Sequence, residues 1–140
     1  MRIAYVEDNE PNMALVRRVA RLGDHQVLGY DNAEEAFQAL VSDLPDLILV
    51  DIELGGGESG LQLTSRLRQA GVEIPIIAVT AFAMMGDREK SLEAGVTDYI
   101  PKPLPVSQLV ELFRHYGEVA EAAEVVEVTE VVEVAEPVNN

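Results

Sequence analysis

The feature that most limits the fold is a recurring unit. Short apolar runs, RIAYV at 2–6, LILV at 47–50 and IPIIAV at 74–79, are each followed by a loop and then by a stretch with helical spacing. A run that is apolar at nearly every position, rather than at every second one, fits a strand covered on both faces. After the first run, Pro11 stands in a favourable first-turn position for a helix through about Leu22, ended by Gly23. QVLGY (26–30) is a second short strand, and Asn32 with Glu35 makes a capping-box-like start for a helix holding Ala36, Phe37 and Leu40 inward. Pro45 separates that helix from a third strand at 47–51. Gly60 precedes a helix with Leu61, Leu63, Leu67 and Ala70, closed by Gly71, and 74–79 is a fourth strand. A helix over 84–94 stops at Gly95, DYI (98–100) is a fifth strand, and 106–116 a last helix with Val106, Leu109, Val110 and Phe113 inward. Five βα units in a row imply an α/β fold with a mostly parallel sheet and helices on both faces.

Length and composition narrow what such a fold does here. The 140 residues suit one domain with a single core, and 48% apolar content is globular. No apolar run approaches a membrane span and no charged start leads into a signal-peptide core, so a cytoplasmic protein without a membrane partner is expected. The absence of cysteine excludes disulfides, thiolate metal sites and cysteine nucleophiles. A formal net charge of −15 argues against binding DNA or RNA.

Seven glutamates, one at every third position from 118 to 136, supply nearly half of that net charge, with no basic residue among them. A strict period of three matches neither a helix stripe nor strand alternation. The division expected is therefore a folded unit over 1–117 and an acidic tail over 118–140 with no output module. A solvated tail is favoured over an ordered or partner-docking helix, although Val125, Val128 and Val132 share one side of a hypothetical helix.

Parallel sheets of this kind bind ligands outside the carboxyl ends of their strands. Glu7 and Asp8 follow the first strand, Asp51 ends the third, Thr80 follows the fourth and Lys102 follows the fifth, so all five gather on one rim. Alone, Asp51 is a strand terminus, Glu7 and Asp8 are capping acids, Lys102 is a surface lysine and Thr80 a strand residue. Together they suit chemistry. Three neighbouring carboxylates repel unless a cation sits among them, and a hard divalent ion with oxygen ligands, Mg²⁺ by preference, meets that need. Lys102 adds a point charge and Thr80 a hydroxyl donor for phosphoryl oxygens. The set fits phosphoryl transfer to Asp51.

The motifs VEDNEPN, LILVDIEL, VTAFAMMGDREKSLEAG and DYIPKPL, in this order, resemble the receiver domain of bacterial two-component response regulators, in particular single-domain regulators of the CheY-like and DivK-like kind. The resemblance spans residues 1 to about 117. It implies a doubly wound, flavodoxin-like (βα)₅ three-layer sandwich with strand order 2-1-3-4-5. It further implies that Asp51 is the phosphoacceptor, that Glu7 and Asp8 organise Mg²⁺ with Asp51 and the backbone carbonyl of Glu53, and that Lys102 binds the phosphoryl group. Thr80 is then the switch hydroxyl, Tyr99 the aromatic switch, and Pro103 a cis-proline that aims Lys102 inward. Glu53 and Phe82 flank the phosphoryl site and influence deactivation. The implied partners are a sensor histidine kinase or phosphotransfer protein and a downstream protein target, with homodimerisation through the last helix also open. Such a protein is a switch rather than an enzyme with turnover on a substrate.

The chain departs from the family after the acceptor. Gly55 stands where receivers commonly have proline, and Gly60 lies one residue further on than the usual glycine, which implies an extra residue and a more flexible loop. Two rival readings share the rim: a phosphorylation-independent interaction domain of the same fold, and a Mg²⁺-dependent aspartyl-phosphate hydrolase. The hydrolase normally has an aspartate two residues after the nucleophile, where this chain has Glu53. GGGESG lacks the lysine of a nucleotide-binding P-loop. Met84 and Met85 read as packing or surface residues, and His25 and His115 as structural or solvent-facing.

Overall fold

The computed structural model describes residues 1–81 and 85–135. Five strands, β1 (Arg2–Val6), β2 (Gln26–Tyr30), β3 (Leu47–Asp51), β4 (Ile76–Thr80) and β5 (Asp98–Pro101), alternate with α1 (Glu10–Leu22), α2 (Ala33–Ser42), α3 (Gly60–Gln69), α4 (Met85–Ala94) and α5 (Val106–Ala135). All strand pairs are parallel and the sheet order is β2-β1-β3-β4-β5, a flavodoxin-like arrangement.

The strands are apolar at almost every position because both faces are covered. Val6, Ile48, Val50, Ile76 and Ala78 pack with Ala36 and Leu40 of α2 and with Leu63 and Leu67 of α3. On the other face Ile3, Tyr5, Leu49, Ile77 and Val79 meet Val16 and Val19 of α1 and Leu109 and Phe113 of α5. Three layers result. Every residue of β3 and of β4 is buried, so these central strands hold their carboxyl ends in fixed register.

Local signals set the joints. Asn9 caps α1, Asn32 caps α2, and Ser59 with Gln62 forms a reciprocal capping box at α3. The fourth strand begins at Ile76 rather than 74, since Pro75 has no N–H to donate and joins the ladder only through its carbonyl, which accepts from Ile48 N at 3.0 Å.

One boundary differs substantially. The last helix does not stop near residue 116, and the stretch 118–135 is helical rather than an irregular tail. A helix already anchored by Leu109 and Phe113 propagates without a new nucleation cost, Glu and Ala are good helix formers, and no proline intervenes before 137. Gly117 is kept inside the helix where α5 passes His25: a Cβ there would lie 3.3 Å from His25 Cε1. Helices of a parallel α/β fold run against the strands, so the extension leaves the body at the end opposite the carboxyl rim. Residues 136–140 lie outside the described residues.

Candidate functional site

The strand order reverses between β1 and β3, and ligand crevices form outside the carboxyl ends at such a switch point. The register Val6↔Val50 places Glu7, one residue past β1, beside Asp51, the last residue of β3. Both are 2% exposed. Thr80 ends β4, and its register partner Pro101 ends β5, which brings Lys102 to the same rim. Lys102 Nζ lies 3.0 Å from Asp51 Oδ2 and 3.6 Å from Glu7 Oε2. The Lys102–Pro103 peptide is cis. Burial works against the Lys102 charge, but the hydrogen bond and charge of Asp51, with Glu7 and Glu53, outweigh it and raise its pKa above the usual lysine value.

The acids differ in how they are held. Glu7 accepts from the Tyr5 hydroxyl at 3.1 Å, from Asn9 N at 3.2 Å and from Asn12 Nδ2 at 3.5 Å, so both its oxygens are engaged. Burial first, and the Glu7 charge second, push the Tyr5 phenol pKa upward and keep it a donor. Asp8 is exposed and accepts only a long contact from Gly55 N, 3.4 Å, among the described residues. Glu7, Asp8 and Asp51 each offer a carboxylate oxygen, and these oxygens lie within 4.8 Å of one another. An all-oxygen donor set with one open, exposed member fits a small hard cation that keeps several waters.

Asp51 is fixed on both oxygens, since Glu53 N donates to Oδ1 at 2.9 Å while Lys102 holds Oδ2. The Glu53 side chain reaches the other way. Its Oε1 accepts from Thr80 Oγ1 at 2.9 Å and from Ala81 N at 3.0 Å. Behind the acceptor, α3 begins so close that a Cβ on Gly60 would stand 2.1 Å from the Asp51 carbonyl oxygen. Only glycine fits there.

The response regulator receiver domain family matches residues 3–114 of this chain. The chain belongs to that family. A polar-differentiation response regulator, DivK, of Brucella anthropi is 40% identical to this receiver over 116 residues, covering 81% of this chain and 94% of the relative. The DivK of Brucella ovis is 39% identical over the same coverage. Among solved structures, the receiver domain of NtrX from Brucella abortus superposes with a TM-score of 0.75 at 23% identity, covering 83% of this chain and 98% of that one. A two-component response regulator from Clostridium difficile gives 0.77 at 23% identity, covering 84% and 96%. These two likenesses bear on the fold alone. Receivers are signalling switches that work with histidine kinases and downstream targets, and the acid cluster of this one lies where a receiver has its metal site.

Five of the sequence-derived residues therefore meet in this receiver: Glu7, Asp8, Asp51, Thr80 through Glu53, and Lys102. Tyr99 is half-buried on β5 beside Ala78 and packs against the α2–α3 side of the core. Phe82 and Met84 lie outside the described residues, as does the Met85 side chain. His25 Nδ1 contacts the Met1 ammonium at 3.0 Å and its ring meets Phe113 edge-on, while His115 meets Tyr116 edge-on at 4.8 Å. The loop after the acceptor places Gly56 and Gly57 at positive φ, 77° and 121°, the left-handed region that glycine enters freely. Sequence reasoning missed the Tyr5 hydroxyl and the Ala81 amide, and it placed Glu53 beside the phosphoryl site without the partners of its side chain. The one available signal was a phenol two residues before Glu7, on the same strand face.

Proposed function

We propose that this receiver accepts a phosphoryl group on Asp51 from a phosphohistidine partner and thereby switches a protein-interaction surface. The observation that supports the reading best is the pairing of a 2%-exposed strand-end aspartate with an ammonium 3.0 Å away and two further carboxylates within 4.8 Å. A carboxylate so fixed presents its lone pair without reorganisation.

In the transfer step an Asp51 oxygen attacks phosphorus, the P–O bond forms, the P–N bond to the imidazole breaks, and the electron pair returns to the ring nitrogen. Lys102 is placed to follow negative charge from the Asp51 carboxylate onto a phosphoryl oxygen. Asp8 and Asp51, with Glu7 as a saturated anchor and the Glu53 carbonyl, would hold a Mg²⁺ ion. When bound, that ion supplies neutralisation of the transferring oxygens. Thr80 gives a hydroxyl to the phosphoryl group and Tyr99 follows it as the aromatic element of the switch, with the two states biased by contacts that exist only after transfer. Hydrolysis of the acyl phosphate by water resets Asp51. Residues 1–117 are the switching unit, and its partners are a histidine kinase or phosphotransfer protein and a downstream protein.

The test is incubation with Mg²⁺ and a small phosphodonor, followed by intact mass. Wild type gains one phosphoryl group that is stable in acid and lost in base, and Asp51→Asn gains none. A wild type that never gains it contradicts the proposal and leaves a phosphorylation-independent interaction domain as the reading.

A further inference from the structure

Two donors converge on one carboxylate oxygen beside the acceptor. The Thr80 hydroxyl and the Ala81 amide both point at Glu53 Oε1, at 2.9 and 3.0 Å. An N–H and an O–H aimed at a single anionic oxygen form an oxyanion cradle of the kind that binds transferred acyl or phosphoryl groups. It lies next to Asp51, whose own Oδ1 takes the Glu53 amide. A phosphoryl group on Asp51 carries three charged oxygens. Lys102 and the acid-cluster cation can serve two of them, and the cradle is the donor pair left for the third.

We infer that Glu53 is a built-in competitor: its carboxylate fills the phosphoryl-oxygen cradle of the unphosphorylated receiver and must be expelled when Asp51 is modified. This rests on the phosphoacceptor reading and gives Glu53 a specific role before transfer, beyond the influence on deactivation that the resemblance implies. Two effects oppose occupancy of the cradle by a phosphoryl oxygen. The Glu53 oxygen already holds both donors, and its negative charge would stand against the incoming one. Its departure gives up the two hydrogen bonds and some attraction to Lys102, but Glu53 is exposed and no Lys or Arg lies within ion-pair distance of it among the described residues. The plug also keeps Thr80 in one arrangement before transfer. Expulsion therefore couples modification of Asp51 to release of the β4 end, through differential contacts in the two states.

The test uses beryllofluoride, a phosphoryl analogue that adds to the acceptor carboxylate, with Mg²⁺ and the full chain. Glu53→Ala frees both donors and is expected to bind the analogue about ten- to hundredfold more tightly than wild type, the range for losing a charge-assisted competitor. Glu53→Gln should fall between them, since its amide oxygen still accepts from Thr80 and Ala81 but adds no negative charge. In the metal-free protein the Ala81 amide proton should move upfield in Glu53→Ala, reporting the lost acceptor apart from any phosphoryl chemistry. Equal affinity in all three proteins, or an Ala81 amide that does not move, overturns the plug. If wild type and both variants all fail to bind beryllofluoride, the phosphoacceptor reading falls and the plug falls with it, whereas tight binding without a difference leaves that reading standing and removes only the plug.

Discussion

The molecule concentrates acid at two opposite ends and treats it in opposite ways. At the carboxyl rim, Glu7 and Asp51 are buried and nearly every oxygen has a donor: Tyr5, Asn9, Asn12, Lys102 or the Glu53 amide. In the α5 extension, glutamates recur every third residue with no basic residue among them. A step of three residues falls about 60° short of a full helical turn, so the spacing in the sequence defines no single stripe. The count of carboxylates does not make a site. What makes one is a set of donors that fixes a few of them close together, as Glu7, Asp8 and Asp51 are held with oxygens within 4.8 Å of one another.

The largest way to break that contrast is to remove the rim's own cation. Lys102→Met should slow adduct formation with a small phosphodonor by about a hundredfold or more, the scale for losing one electrostatic stabiliser of a transition state. It should also lower unfolding stability by about 1–2 kcal/mol, because Asp51 and Glu7 lose their counter-charge at a partly screened edge. Mg²⁺ should restore more of that loss than it adds to wild type, which denaturation in urea with and without the ion would measure.

Next comes the backbone support. Gly60→Ala forces α3 away from the Asp51 carbonyl and should cost about 1–3 kcal/mol by the same denaturation measurement, with slower phosphorylation. Tyr5→Phe removes one donor from Glu7 and leaves the ring in place. It should cost about 1–2 kcal/mol and weaken Mg²⁺ binding several-fold in a calorimetric titration. An unchanged Mg²⁺ affinity would mean that Glu7 is an ordinary buried acid rather than an anchor.

The smallest effect belongs to the far end. Burial first, and the Met1 ammonium second, hold the His25 pKa below its usual 6.5, while Asp24 and Glu121 pull the other way. The unfolded chain then takes up this proton at higher pH than the folded one. The stabilisation is complete above about pH 6.5 and is lost as pH falls toward the folded pKa. His25→Gln should flatten this slope without changing phosphorylation of Asp51.

The parallel sheet was legible because strands buried on both faces lose alternation, and the loops between them carry glycine, proline and capping residues. Asp51 was legible because four apolar residues run straight into it, and Lys102 because the fifth strand ends just before it. The α5 extension was not, since a three-residue period resembles no element, and a helix that grows from a packed base does not need an apolar stripe of its own. Glu53 was assigned through its backbone carbonyl and its place beside the phosphoryl site, but the partners of its side chain followed only from the end of β4. Spacing along a chain places backbones on a rim, but it does not say toward which neighbour an exposed carboxylate turns.

The central claim is that Asp51 carries the phosphoryl group. Borohydride reduces an aspartyl phosphate to homoserine, so phosphodonor-treated protein can be reduced, digested and mapped by mass. The account predicts homoserine at position 51 and nowhere else, in a Mg²⁺-dependent yield. Homoserine at Asp8, hydroxynorvaline at Glu7 or Glu53, or no reduced residue at all, would contradict it.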